Sequence, residues 1–157
     1  MKRLKRLSQI VILSLGLTVI SRVETAQAKE VCRLLEAVGG GTEVTKTVSP
    51  GGTLFTGDNW NTDFVVPTDR FYDRFEVRVM PQNDANYSMN FYLKYPNNTA
   101  DKFFSREATP MKRNQPVIAR TTPRNRIQQP FQVNVFVGGT EAIGTVYTAT
   151  VLACFNN

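Results

Sequence analysis

The sequence predicts an antiparallel β-sandwich of about eight strands with one disulfide joining the first and last strands. Three observations predict it. Apolar and polar residues alternate with period two along most of the chain after residue 28, the pattern of half-buried strands. Glycine, proline and Asx turn signals separate these runs at intervals of about 8–14 residues. Two cysteines, Cys32 and Cys154, stand at the two ends of the alternating region.

Taken in order, the chain starts with Lys2, Arg3, Lys5 and Arg6, followed by an apolar run from Ile10 to Ile20 and then Ala26-Gln27-Ala28. A basic start, a short apolar stretch and a small-x-small site predict a secretory signal over residues 1–28, with cleavage after Ala28. The alternative is an uncleaved anchor, but the apolar run is shorter than the roughly 20 residues that span a bilayer. Residues 29–157 form the one expected domain. "CRLLEAV" (32–38) reads as either strand or helix; its shortness and the glycine run after it favour a strand. "FEVRVM" places Phe75, Val77 and Val79 opposite Glu76 and Arg78. "YSMNFYLKY" places Tyr87, Met89, Phe91, Leu93 and Tyr95 opposite Ser88, Asn90 and Lys94. "FQVNVFV" aligns Phe131, Val133, Val135 and Val137, and "TVYTATVLACF" aligns Val146, Thr148, Thr150, Leu152 and Cys154. Turns are expected at 39–41, 49–52, 81–86, 96–101 and 138–144. No helix of ten residues or more is expected after the signal.

Lys29, Glu30 and Val31 precede Cys32, which is not the small and aliphatic context a lipid anchor requires. There is no C-x-x-C, and two thiols without histidine make a poor zinc site. In an exported chain the two cysteines most simply pair. Such a bond closes a loop of most of the domain, worth about 4–5 kcal/mol in the chain-entropy model before strain is subtracted.

The stretch "DRFEVRVMPQNDANYSMNFYLKYP" (73–96) resembles the paired-strand core of exported bacterial β-sandwich accessory domains of the pre-peptidase C-terminal type. The whole chain resembles small exported proteins of cyanobacterial type. These resemblances imply export and a sandwich, and bring no site residue with them.

Composition limits the chemistry. The full chain has 19 basic and 13 acidic residues. Residues 1–28 hold five bases and one acid, so the remainder carries 14 − 12 = +2. That argues against a nucleic-acid binder. With no histidine anywhere, Ser-His-Asp triads, Cys-His dyads and histidine metal sites are excluded. No cofactor is expected to be needed for folding.

Four features are candidates for function. "GDNWNTDF" (57–64) offers Asp58, Asn59, Asn61 and Asp63 as oxygen ligands for calcium or as an Asx-rich turn. Trp60, the single tryptophan, could stack on a sugar ring or partner, or fold back as a loop anchor. Between Lys102 and Arg126 stand seven bases and one acid, against seven bases and ten acids over residues 29–101. Within that segment Lys112, Arg113, Arg120, Arg124 and Arg126 could form one face for an acidic polysaccharide or acidic protein surface, or could guard a sheet edge. Pairs such as Asp69 with Asp73 are too common on surfaces to signal a glycosidase. The expectation is an exported, secreted or periplasmic, non-enzymatic binding or envelope-associated module, without nucleic acid and without an integral membrane segment after signal cleavage. The alternatives are a structural subunit that joins others through a sheet edge and a small carboxylate-dependent hydrolase.

Overall fold

The computed structural model describes residues 29–52 and 57–156; the expected signal, residues 1–28, lies outside them. The described residues form ten strands: β1 (Glu30–Leu34), β2 (Glu36–Ala37), β3 (Glu43–Thr47), β4 (Asn61–Val65), β5 (Arg74–Pro81), β6 (Ala85–Tyr95), β7 (Thr99–Met111), β8 (Val117–Thr121), β9 (Gln132–Gly138) and β10 (Val146–Asn156). The helical content of the described residues is a single 3₁₀ turn at Thr140–Ala142. No helix among the described residues is long and apolar enough to cross a membrane.

Every strand pairing is antiparallel. Sheet 1 runs β1-β10-β5-β8, with β3 laid against the same side of β10 as β1; sheet 2 runs β2-β4-β9-β6-β7. Eight of the strands, in the orders β3-β10-β5-β8 and β4-β9-β6-β7, make the two interlocked Greek keys of a jelly roll. The ten strands exceed the expected eight, in part because "CRLLEAV", expected as one strand, forms two. It is extended throughout, but it changes sheets at Leu35. β1 pairs with β10, the Leu35 amide donates to the Val151 carbonyl, and β2 pairs with β4. Leu35 itself is buried at that crossing.

The core lies between the sheets. From sheet 1 come Phe75, Val77, Val79, Ala119, Tyr147, Ala149, Val151 and Ala153. Sheet 2 supplies Phe64, Tyr87, Met89, Phe91, Leu93, Val133, Val135 and Val137. The inward registers of β5, β6 and most of β9 are those the alternation predicts. β10 is different: its inward residues are Tyr147, Ala149, Val151 and Ala153, and the register of Thr148, Thr150 and Leu152 faces outward. Both registers of this strand are apolar or β-branched, so alternation alone does not separate them. Phe131 falls just before β9 and is 41% exposed.

Cys32 and Cys154 are bonded, directly opposite each other in the β1–β10 ladder, with Cα atoms 4.0 Å apart. The first and last strands are therefore neighbours within one sheet.

The long edge strand β7 is bent away from simple pairing. Phe91 faces Phe104 and Tyr92 faces Lys102, which leaves Phe103 as an extra residue. The bulge turns both phenylalanines onto Phe91, at centroid distances of 4.7 Å for Phe104 and 6.1 Å for Phe103. A second irregularity follows at Ala108, whose amide donates to Ser88 Oγ. Bulges and charges are the usual means by which an edge strand resists pairing with another chain.

Candidate binding face

The sandwich has two outer faces, and they differ in chemistry. On sheet 1 the outward residues of β5 and β8 form an ion-pair lattice. Glu76 is 3% exposed yet lies on the outward register. It accepts hydrogen bonds from Arg74 (3.0 Å), Arg78 (2.6 Å) and Arg120. Burial pushes the Glu76 carboxyl up, but hydrogen bonds from Arg78, Arg120 and Arg74 outweigh it and hold the group at about 2. Arg74 also pairs with Glu30 at 2.6 Å. Each charged group here has a partner on the same face.

On sheet 2 the outward positions of the central strands line up in rows. One row is Asn61, Phe136, Asn90 and Ser105; the next is Asp63, Asn134, Tyr92 and Lys102. Asp63 accepts from Lys94 at 2.8 Å and from Asn134 at 2.9 Å, and Ser105 donates to Asn90 at 2.7 Å. These bonds fix amide and hydroxyl groups in place around the Tyr92 and Phe136 rings. Lys102 lies 5.9 Å from the Tyr92 ring centroid.

Trp60 joins this face. Gly138 occupies the outward register of β9, and a Cβ there would meet Trp60 Cδ2 at 2.3 Å. The indole therefore lies flat against the glycine on the outer side of sheet 2, where no other residue would let it settle. Its Nε1 donates to the Ser49 carbonyl at 2.8 Å, and it meets Phe136 edge-on at 5.6 Å. Trp60 is both anchored by its loop and part of an aromatic series with Phe136 and Tyr92. All three rings are partly exposed.

The candidate calcium ligands do not converge. Asp58 accepts from the Trp60 amide, an Asx turn. The Asn59 side chain accepts from the Ser49 amide and donates to the Thr47 carbonyl. Asn61 and Asp63 lie on the outer face of β4, with Asp63 engaged by Lys94. Among the described residues, the one cluster of acidic and cysteine side chains close enough for a metal is Glu30, Cys32 and Cys154, and its two sulfurs are bonded to each other.

The five basic candidates are dispersed. Lys112 and Arg113 sit in the turn after β7, where Lys112 pairs with Asp84 at 2.9 Å and the Arg113 amide donates to the same carboxylate. Arg120 is on β8 with Glu76. Arg124, in the loop after β8, grips Asp101 with two nitrogens and lies 4.2 Å from the Tyr95 ring centroid. Arg126 makes no ion pair among the described residues. The acids come from the acidic part of the chain, so the charge split along the sequence becomes a set of local pairs. The segment itself supplies β7 and β8, the edge strands of the two sheets.

Tyr92 and Phe136 were not among the residues the sequence singles out. The available signal was phase: each is an aromatic residue on the polar register of a strand whose other register is already fully apolar.

No family model and no curated protein matches the chain. Among solved structures, it is similar to a chain from the structure of the infectious bursal disease virus Gx strain, at 11% identity and a TM-score of 0.38, with 91% of this chain and 37% of that one covered. It is also similar to the CBM22-1 xylan-binding domain of Paenibacillus barcinonensis Xyn10C, at 9% identity and a TM-score of 0.34, with 81% of this chain and 85% of that one covered. The jelly roll is assigned from strand order alone.

Proposed function

We propose that the protein is an exported, non-enzymatic module of the cell envelope that binds a polysaccharide on the outer face of sheet 2. The observation that carries this reading is the outward series Trp60, Phe136 and Tyr92, set among Asn61, Asp63, Asn90, Asn134 and Ser105. Sugar rings have apolar faces and hydroxyl edges. Aromatic side chains supply large, rigid contact area for the former, and fixed amides and carboxylates serve the latter as donors and acceptors. The neighbouring acids and bases hold those groups in position before any ligand arrives, which lowers the ordering cost of binding.

Two observations support the non-enzymatic part. The chain has no histidine. Glu76, the most buried acid among the described residues, is held at about 2 by three arginines, the wrong direction for a general acid at neutral pH. The disulfide supports an oxidising compartment, secreted or periplasmic.

The test is retention on immobilised neutral and acidic polysaccharides, comparing wild type with Tyr92→Ala/Phe136→Ala. Wild type should be retained by at least one polymer, and the double variant about tenfold less. Equal retention of the two proteins contradicts the reading. An acidic polymer retained through Arg113 and Arg126 would instead favour the basic edge, and would show itself as loss of retention in Arg113→Glu/Arg126→Glu and at high salt.

A further inference from the structure

Among the described residues, half of the large apolar side chains that remain exposed gather at one end of the sandwich: Val65, Phe71, Ile127 and Phe131 all lie where β4 leads into β5 and where β8 leads into β9. Ile127 is 86% exposed and Phe71 52%. Neither sits on a loose tip. The Asn125 side chain accepts from the Ile127 and Gln128 amides at 3.0 and 2.8 Å. Gln129 then bonds both the amide and the carbonyl of Tyr72, each at 3.1 Å. The two loops are thus clamped together with their apolar residues pointing outward, an arrangement that holds apolar surface in water rather than relieving it.

The two most exposed of the four at this end each follow an arginine, in Arg70-Phe71 and Arg126-Ile127. Arg126 has no acidic partner among the described residues. Asp69 faces both Arg33 and Arg70, so that trio keeps one net positive charge. The chain also enters the sandwich here: Glu30, at the start of β1, pairs with Arg74, the first residue of β5. Directly ahead of residue 29 in sequence comes the segment with the apolar run Ile10–Ile20, and an export signal there would bring this end of the domain to the bilayer.

We propose that this end, through Phe71 and Ile127 with Arg70 and Arg126, seats on the surface of an anionic phospholipid bilayer. Apolar side chains enter the headgroup–acyl boundary and arginines meet the phosphates, the combination by which peripheral proteins hold to anionic membranes. The polysaccharide face is on the side of the sandwich rather than at this end, so both surfaces can be occupied together.

Residues 29–157 hold all of the core found among the described residues, and the disulfide, and are the protein to use. It is sedimented with vesicles of phosphatidylcholine alone and with vesicles containing phosphatidylglycerol. Binding is expected to the anionic vesicles, about tenfold weaker or more for Phe71→Ser/Ile127→Ser, and weakened by Arg126→Glu or by salt. Tyr92→Ala/Phe136→Ala should sediment as wild type does, which separates this surface from the polysaccharide face. No binding to anionic vesicles, or equal binding by Phe71→Ser/Ile127→Ser with an unchanged melt, overturns the proposal. So does a wild-type dimer on sizing that this double variant abolishes, because the patch would then be covered by a second copy.

Discussion

The outer face of sheet 1 and the outer face of sheet 2 are built from the same kind of strand, yet one is closed upon itself and the other is not. On sheet 1 the polar groups answer one another: Glu76 with Arg74, Arg78 and Arg120, Glu30 with Arg74, and a disulfide beside them. On sheet 2 the polar groups are also fixed by one another, but they surround three rings that nothing among the described residues covers fully. Density of charge is therefore not the same as availability to a ligand. On the more charged face the Glu76 and Glu30 carboxylates are taken up by arginines, while the less charged one combines apolar area with ordered donors and acceptors.

That contrast gives ordered predictions. The largest effect should come from the disulfide of sheet 1. Cys154→Ala is expected to lower unfolding free energy by about 2–5 kcal/mol, read from urea melts, since the bond closes nearly the whole domain. A melt unchanged by the substitution would mean that the ladder alone holds β1 to β10.

Next comes Glu76. Its folded pKa lies at about 2 against the ordinary 4.5 of a glutamate, which corresponds to about 3 kcal/mol. A depressed folded pKa gives stability that is complete above about pH 4.5 and lost as pH falls towards 2. Glu76→Gln should therefore be less stable than wild type at pH 7 by about that amount, and the two urea melts should draw together as pH approaches 2. Tyr92→Ala and Phe136→Ala, on the other face, should each cost about 1 kcal/mol or less, because partly exposed rings forfeit little burial. Equal losses on both faces would dissolve the distinction.

Much of the fold was legible because local pattern and tertiary placement agree. β5 and β6 alternate cleanly, and the inward set Tyr87, Met89, Phe91, Leu93 and Tyr95 follows directly. The cysteine pairing followed from elimination. β10 was legible as a strand but not in its facing, since a central strand with a disulfide on one side and small residues on the other is apolar on both. Glu76 illustrates the same limit. In sequence it is one acid on a polar register, and its burial depends on Arg120, forty-four residues away. The site was harder still. Phe136, Tyr92 and Trp60 come from β9, β6 and the approach to β4, and only the strand order brings them to one face. The basic segment looked like a single surface because its residues are close in sequence, whereas their acidic partners Asp84, Glu76 and Asp101 are not.

Trp60 allows the central claim to be read directly. It is the single tryptophan and lies on the outer face of sheet 2, away from the loops that carry Phe71 and Ile127. Oligosaccharides cut from whichever polymer retains the protein should be titrated into it while indole fluorescence is followed. A saturable change in wild type that disappears in Tyr92→Ala/Phe136→Ala is the predicted result. Fluorescence that stays constant while the ligand demonstrably binds would place the binding surface elsewhere and contradict the account.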